Sequence, residues 1–154
     1  MKNVYLLLVC FFVTNLTFSQ IDIPNYQLQA LKEVYKWGNE KFLVINFTQP
    51  KFNCHYDNYQ KLNNKKKWLD DNVYNDIDMN DCRSIYVFSD KEAAKKIIDN
   101  NTYFEDYHNY FLNNFFNLKE NCYGLLIIRQ DGKFSNLVGE YLKEDVKAML
   151  DSLK

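Results

Sequence analysis

Cysteine is the residue type in this chain that could support covalent or redox chemistry. Cys54 follows an apolar run that ends at Phe47. Thiol enzymes often place a cysteine just after a strand, at the first turn of a helix, where amide groups stabilise the thiolate. His55 is adjacent, but neighbouring residues on a helix point about 100° apart, which argues against a cysteine-histidine dyad. Cys54 is therefore a thiol candidate with no local partner.

Other residue types give weaker signals. The chain has two histidines, His55 and His108, and no Cys-x-x-Cys pair, so its spacings match no zinc pattern, and we predict neither a metal nor a cofactor. The two arginines, Arg83 and Arg129, are too few to assemble an anion-binding cluster. Paired carboxylates lie in a polar stretch where solvated acids are expected: Asp70 with Asp71, and Asp76 with Asp78.

The first residues are typical of a secretory signal peptide. A basic start precedes the apolar stretch VYLLLVCFFV, and small residues follow before Gln20. The apolar stretch is shorter than the roughly 20 residues that a membrane span needs. We therefore predict a signal peptide over residues 1–19. Residues 20–154 would form the mature protein, exported to the periplasm or secreted, without stable insertion in a membrane.

Export determines how the cysteines are interpreted. Three of them remain after cleavage: Cys54, Cys82 and Cys122. In an oxidising compartment two are expected to pair and one to be left over, although an odd count also permits free or intermolecular thiols. At this point the pairing is open.

Composition favours one compact domain. A net charge of −1, with interspersed signs, gives no electrostatic basis for binding nucleic acid. The lysine-rich run NNKKKW, residues 63–68, is interpreted as a solvated helix face rather than a binding patch. An aromatic content of 17%, with four glycines and two prolines, argues against disorder because such a chain has ample apolar surface to bury.

Hydrophobic periodicity predicts the elements that would position these residues. Two apolar runs rich in β-favouring residues, KFLVINF and RSIYVFS, indicate strands buried on both faces. The stretch YGLLIIRQDGKFSNLV indicates a β-hairpin that turns at Asp131 and Gly132. Helical spacing predicts helices over residues 25–38, 54–71, 89–98, 102–118 and 143–154.

Local signals mark where some helices begin and end. Asn25 could cap the first helix and Gly38 end it, while Ser89 and Glu92 form a capping box for the third. The polar stretch 70–81 is predicted to be a loop. Crossovers between buried strands imply parallel pairing with helices on both faces. The order of elements therefore predicts an α/β three-layer sandwich, its mixed sheet ending in a C-terminal β-hairpin and helix.

That order, together with the stretches ALKEVYKWGNEKFLVINF and CYGLLIIRQDGKFSNLVGEYLKEDVKAMLDSL, resembles the thioredoxin-like superfamily across nearly all of residues 20–154. Within it, the chain is most similar to exported bacterial thioredoxin-fold domains of unknown function that end in a strand, an Asp-Gly turn, a strand and a helix. The resemblance implies a thioredoxin-like fold.

The motifs that give this superfamily its activity are absent. The two cysteine slots of its Cys-x-x-Cys hold Phe52 and His55, with Cys54 between them. Its cis-proline would fall near Tyr123 or Gly124, where the chain has no proline. The Pro-x-x-x-Thr-x-x-Cys motif of peroxiredoxins is also out of register with Cys54.

The resemblance also implies a pairing for the cysteines. In the resembled fold, the loop before the hairpin packs against the start of the helix that follows the first strand. Cys122 would therefore approach Cys54, and Cys82 would lie at the opposite end of the sheet. A bond closing so long a loop would stabilise the fold by roughly 4 kcal/mol on the chain-entropy model. A structural disulfide is favoured over a cycling redox pair because exported disulfides are mostly structural.

Three functional hypotheses follow. The first, which we prefer because both hallmark motifs are absent, is a non-catalytic binding or accessory module, its partner an unidentified protein. The second is an atypical thiol-disulfide oxidoreductase that uses Cys54 and Cys122. The third is a secreted interaction or immunity-type protein.

Overall fold

The computed structural model describes residues 22–49, 59–116 and 121–154. These ranges contain five strands and five α-helices, with a π-helical turn at Asp70–Tyr74 and a 3-10 helix at Tyr107–Asn109. In chain order the elements are α1 (Asn25–Val34), β1 (Phe42–Thr48), α2 (Tyr59–Leu69), β2 (Cys82–Phe88), α3 (Lys91–Ala94), β3 (Tyr103–Glu105), α4 (Tyr110–Asn114), β4 (Tyr123–Arg129), β5 (Phe134–Val138) and α5 (Lys143–Ser152).

The strands form one mixed sheet in the order β3-β2-β1-β4-β5. β2 is parallel to both β1 and β3, while β4 is antiparallel to both β1 and β5. The predicted α/β class is confirmed, with a mixed sheet in which β1 and β2 are parallel and with a C-terminal hairpin and helix. The predicted hairpin turn is also correct, because Gly132 N–H donates to the carbonyl of Arg129 at 2.9 Å.

β1 is the central strand of the sheet, and every one of its residues is buried. Alternate side chains of a strand point to opposite faces, and here both faces are apolar. Leu43 and Ile45 pack into the core under α1 and α4, whereas Phe42 and Val44 pack into the core under α2 and α5. Helices therefore cover both faces of the sheet.

The C-terminal helix forms as its periodicity predicts. The carboxylate of Asp145 accepts the N–H of Leu142 at 2.8 Å, which fixes the start of α5. Its apolar stripe is buried against the sheet: Val146, Met149, Leu150 and Leu153.

The predicted ends of α1 are wrong. Asn25 is the first helical residue, with Pro24 at the capping position, and no side chain caps this end. The helix stops at Val34, well before Gly38, because Lys36 adopts a left-handed φ of 53°. A residue in that region cannot continue a right-handed helix.

The capping residue of the third helix also differs from the prediction. Asp90 accepts the N–H of Ala93 at 3.0 Å, and α3 spans only four residues. Ser89 lies one residue before this cap, and its N–H donates to the carbonyl of Thr48 at 3.0 Å, which extends the β1–β2 pairing by one hydrogen bond.

The predicted helix over residues 102–118 is wrong in its first part, which forms the edge strand β3 and the 3-10 helix before α4. Asp106 is buried, and its carboxylate accepts the N–H groups of Phe111 and Leu112 at 2.9 Å each. His108 and Asn109 both have φ of 54°, a left-handed conformation that interrupts any continuous helix. Residues 117–118 lie outside the described ranges.

The second helix differs from expectation at its end. Its predicted start at Cys54 lies outside the described ranges, within which α2 begins at Tyr59. The stretch 70–81, predicted to be a loop, begins as the π-helical turn that continues α2 and buries Val73. This turn directs Tyr74 towards the sheet, where it bonds to β1.

Candidate functional site

Cys122 directly precedes β4, at the end of the sheet where β1 finishes. It is in a disulfide, whereas Cys82 is a free thiol. The carbonyl of Cys122 accepts the N–H of Gln49 at 2.9 Å, and the Gln49 side chain bonds to the carbonyl of Asn121, so the chain leaves β1 beside Cys122. Cys54 and the disulfide partner lie outside the described residues, and the pairing of Cys54 with Cys122 stays a prediction.

Cys82 lies at the other end of the sheet, as predicted. It begins β2 opposite Phe42, the first residue of β1. Burial, together with the carboxylates of Asp81 and Asp78, raises the pKa of its thiol to about 11. Such a thiol stays protonated near neutral pH and is a poor nucleophile.

The position expected for a cis-proline holds a glycine under an aromatic ring. Gly124 pairs with Phe47 in the β1–β4 ladder, and none of the described peptide bonds is cis. A Cβ on Gly124 would lie 2.5 Å from Cδ1 of Phe116, whose ring stacks on that of Phe47 at 4.4 Å. The space above Gly124 is therefore filled by packed rings. The slots Phe52 and His55 lie outside the described residues.

The other titratable candidates have structural partners. Arg83 donates to two main-chain carbonyls at 2.8 Å each, and Arg129 forms an ion pair with Asp131 at 2.6 Å. Three of the paired carboxylates form ion pairs: Asp70 with Lys66, Asp71 with Lys67, and Asp76 with Lys143. In the described ranges, no group of three or more histidine, cysteine, aspartate or glutamate side chains is arranged to hold a metal.

A cleft of about 470 Å³ lies between α2 and the segment that joins β5 to α5. Because Tyr123 pairs with Thr48, the cleft is at the carboxyl end of β1. Its rim is apolar and open to solvent, since Trp68 is 52% exposed and Leu142 is 60% exposed. Its lining comprises Lys61, Asn64, Lys65, Trp68, Leu69, Tyr123, Glu140, Tyr141 and Leu142. An apolar concave surface with a few polar groups is the usual form of a ligand site.

Among the titratable groups that line the cleft, Lys65 has the most unusual surroundings. Its Nζ lies over the face of Tyr123, 2.7 Å from the ring centroid. Burial lowers the pKa of Lys65 to about 6, and attraction to the carboxylate of Glu140 opposes that effect only in part. A desolvated ionisable side chain in a cleft is a recurrent feature of functional sites.

A buried hydrogen-bond network joins the wall of this cleft to the sheet. Asn46, in the middle of β1 and 1% exposed, accepts the hydroxyls of Tyr141 at 2.5 Å and Tyr74 at 2.6 Å. Its amide donates to the Ser84 hydroxyl at 3.2 Å and the Ile85 carbonyl at 3.0 Å. Burial raises the pKa of Tyr74, so that its hydroxyl stays protonated and donates. The network fixes Tyr141, and with it one side of the cleft.

The cleft was not predicted from the sequence. The interpretation of residues 63–68 as a solvated helix face is correct for Lys67, which is exposed, but wrong for Lys65. The sequence does indicate that Lys61, Lys65 and Trp68 share one face of α2, because they recur at helical intervals. Nothing in the sequence indicated which structure would face them.

Comparisons with protein-family models, with curated proteins and with solved structures find no match for this chain in any of the three. Across the described ranges, no helix combines the length and apolar character that crossing a membrane requires. The predicted signal peptide, residues 1–19, lies outside those ranges. The disulfide and the cleft are therefore the features from which a function can be argued.

Proposed function

We propose that the protein is an exported, thioredoxin-like domain that acts as a non-catalytic binding module through the cleft beside α2. One observation carries the proposal: Trp68 and Leu142 expose apolar surface next to the desolvated Lys65. Covering such surface is favourable because it removes apolar area from water. Ligands of α/β sheets commonly bind outside the carboxyl ends of the strands, where this cleft lies.

The order of elements supports the thioredoxin-like assignment. A parallel pair joined by a helix is followed by an antiparallel hairpin and a terminal helix in the same sheet. Export is supported by the signal-type N-terminus and by the disulfide at Cys122, since disulfides persist in oxidising compartments.

The state of the described thiols supports a non-catalytic role. A dithiol enzyme needs a thiolate held near a second sulfur. Cys82 is distant from Cys122 and has a raised thiol pKa, while the rings above Gly124 fill the expected cis-proline site. These features favour a structural role for this end of the sheet over a catalytic dithiol site.

The alternative is an atypical thiol-disulfide oxidoreductase that uses Cys54 and Cys122. The observation in its favour is that Cys122 is bonded at the carboxyl end of β1, beside the point where the chain leaves towards Cys54. Precipitation of insulin by dithiothreitol separates the two functions. We expect the mature protein, residues 20–154, not to accelerate precipitation. Acceleration that disappears in Cys122→Ser would establish the enzyme instead.

Capture of a partner from the exported protein fraction tests the binding role. We expect Trp68→Ala combined with Leu142→Ala to abolish retention of any protein that wild type captures. A matched control replaces two exposed apolar residues of α1, Tyr26→Ala with Val34→Ala, and should retain the partner. Equal capture by the cleft variant and the control would contradict a role for the cleft.

A further inference from the structure

Lys65 places an amine inside the cleft beside α2. Its side chain lines the cleft, is partly buried, and ends with Nζ over the face of Tyr123, 2.7 Å from the ring centroid. The exposed apolar surface of Trp68 and Leu142 borders the same cleft. The amine is therefore covered on one side by an aromatic ring, while the opening of the cleft leaves it within reach of a small molecule.

This position keeps the amine of Lys65 in its neutral form. Burial disfavours the ammonium ion and lowers the pKa of Lys65 to about 6, and attraction to Glu140 opposes that effect only in part. Near pH 7 roughly nine in ten Lys65 side chains are then neutral, compared with roughly one in two thousand for an ordinary lysine. A neutral amine has a free lone pair and is a nucleophile, whereas an ammonium ion is not.

We propose that Lys65 is a covalent binding site for apolar aldehydes, which form an imine with its Nζ while their apolar body lies along Trp68 and Leu142. This inference rests on the proposed function, since it names the ligand class of the same cleft. Imine formation is reversible, so it serves binding and requires no catalytic turnover.

The reaction needs no reagent beyond the amine and the aldehyde. The Nζ lone pair attacks the carbonyl carbon and forms a C–N bond, and the π electrons of the C=O bond move to the oxygen. Transfer of one proton from nitrogen to that oxygen gives a carbinolamine. Its hydroxyl group then takes up the remaining N–H proton and leaves as water, and the nitrogen lone pair forms the C=N bond. No atom is oxidised or reduced, and one water is released.

The surroundings of Nζ favour an imine over a carbamate, the adduct that a neutral lysine forms with carbon dioxide. A carbamate is an anion, and the face of an aromatic ring repels negative charge. An imine is neutral, and its protonated form is a cation, which the Tyr123 ring attracts. An aliphatic or aromatic substituent would cover the exposed surface of Trp68 and Leu142 and remove it from water. An apolar aldehyde meets both requirements.

The cleft has room for such a ligand. Its volume of about 470 Å³ lies within the range of sites that hold small molecules. The hydrogen bond from Tyr141 to Asn46 holds one wall in place before the ligand arrives, so little ordering is required. The ligand carries no charge, and its retention therefore depends on the amine and the apolar wall rather than on the net charge of the cleft.

Reductive trapping of the mature protein, residues 20–154, with hexanal tests the inference. The protein is incubated near neutral pH with limiting hexanal, reduced with cyanoborohydride and digested with chymotrypsin, and the adducts are located by mass spectrometry. Lys67 is the internal reference, because it is exposed and its bond to Asp71 raises its pKa. A less basic amine is a weaker nucleophile, which offsets part of its advantage, so we expect about tenfold more adduct at Lys65 than at Lys67.

Variants separate the amine from the apolar wall. Lys65→Met should lose the dominant adduct, whereas Lys67→Met should keep it at Lys65. Trp68→Ala combined with Leu142→Ala should lower the ratio of adduct at Lys65 to adduct at Lys67 severalfold for hexanal, because the apolar contact is removed. The same ratio for glyceraldehyde, which is polar, should not fall.

Each result counts for or against the proposal. Equal adduct at Lys65 and Lys67 in wild type would overturn it, and this comparison does not depend on any variant folding. A hexanal ratio that the Trp68 and Leu142 substitutions leave unchanged would overturn the placement of the apolar body.

The results also distinguish the imine from the proposed function. If Lys65 is not preferred while the Trp68 and Leu142 substitutions still abolish capture of a protein, the imine is refuted and the binding module stands with a protein occupant. If Lys65 is preferred but those substitutions leave capture unchanged, the imine site is supported and the role of the cleft in protein capture is refuted.

Discussion

The hydroxyl of Tyr141 donates a 2.5 Å hydrogen bond to Oδ1 of Asn46, which joins the wall of the cleft to the centre of β1. Tyr74 donates to the same oxygen from the π-helical turn after α2. One buried amide therefore holds two segments, the turn after α2 and the segment before α5.

Asn46→Ala should destabilise the protein by about 3 kcal/mol, because it removes the buried acceptor that the hydroxyls of Tyr74 and Tyr141 share. Urea denaturation measures the change in the free energy of unfolding. Asn114→Ala, at an exposed position whose amide bonds only to the Tyr110 carbonyl, should change it by no more than about 0.5 kcal/mol. Equal costs for the two variants would show that the network does not stabilise the fold.

Gly124→Ala should cost about 1–3 kcal/mol, because the added methyl overlaps the ring of Phe116 in a packed core. The backbone itself tolerates alanine, since Gly124 is not among the glycines with positive φ. In a Phe116→Ala background the same substitution should cost much less, because the overlapping ring is gone. Additive costs in a double-mutant cycle measured by urea denaturation would contradict this packing.

Lys65 should make stability depend on pH. Its pKa is lowered in the folded state to about 6 by burial, whereas an unfolded lysine keeps its ordinary, much higher value. Above pH 6 the unfolded chain therefore binds more protons than the folded one, and the free energy of unfolding rises with pH. The expected contribution is on the order of 1 kcal/mol per pH unit until the unfolded lysine itself titrates.

Lys65→Met removes this dependence. Denaturation at pH 6.5, 7.5 and 8.5 should show the variant more stable than wild type, with an advantage that shrinks as pH rises. Lys67→Met is the control, because Lys67 is exposed and its pKa is raised by Asp71, so it stays charged over this range in both states. An advantage of Lys65→Met that is constant with pH would contradict the assigned protonation state.

The sequence predicts those parts of the fold that depend on long apolar patterns. β1 and the second half of β2 are largely apolar, and α5 has a complete helical stripe, so the pattern of their residues indicates which of them are buried. The region after β2 could not be predicted in this way. Its aromatic residues repeat at helical intervals, but the buried Asp106 bonds main-chain amides and two residues adopt left-handed φ, which local patterns do not reveal.

The cleft was harder to predict than the strands because it depends on contacts between distant segments. Lys65 lies in a run of three lysines, which in isolation is typical of a solvated helix face. Burial lowers its pKa once segments distant in the sequence, among them Tyr123 of β4, lie against α2. Likewise, the structural role of Asn46, a polar residue in an apolar strand, depends on the hydrogen bonds that it accepts from Tyr74 and Tyr141.

The central claim is that the end of the sheet at Cys122 binds a partner and does not catalyse thiol-disulfide exchange. Its most direct test is an equilibrium redox titration of the disulfide at Cys122, with the bonded peptides mapped by mass spectrometry. The account predicts that Cys122 is joined to Cys54, that Cys82 is alkylated as a free thiol, and that the reduction potential lies below about −300 mV, as for structural disulfides. A potential near that of exchanging dithiols, roughly −120 to −270 mV, would contradict it.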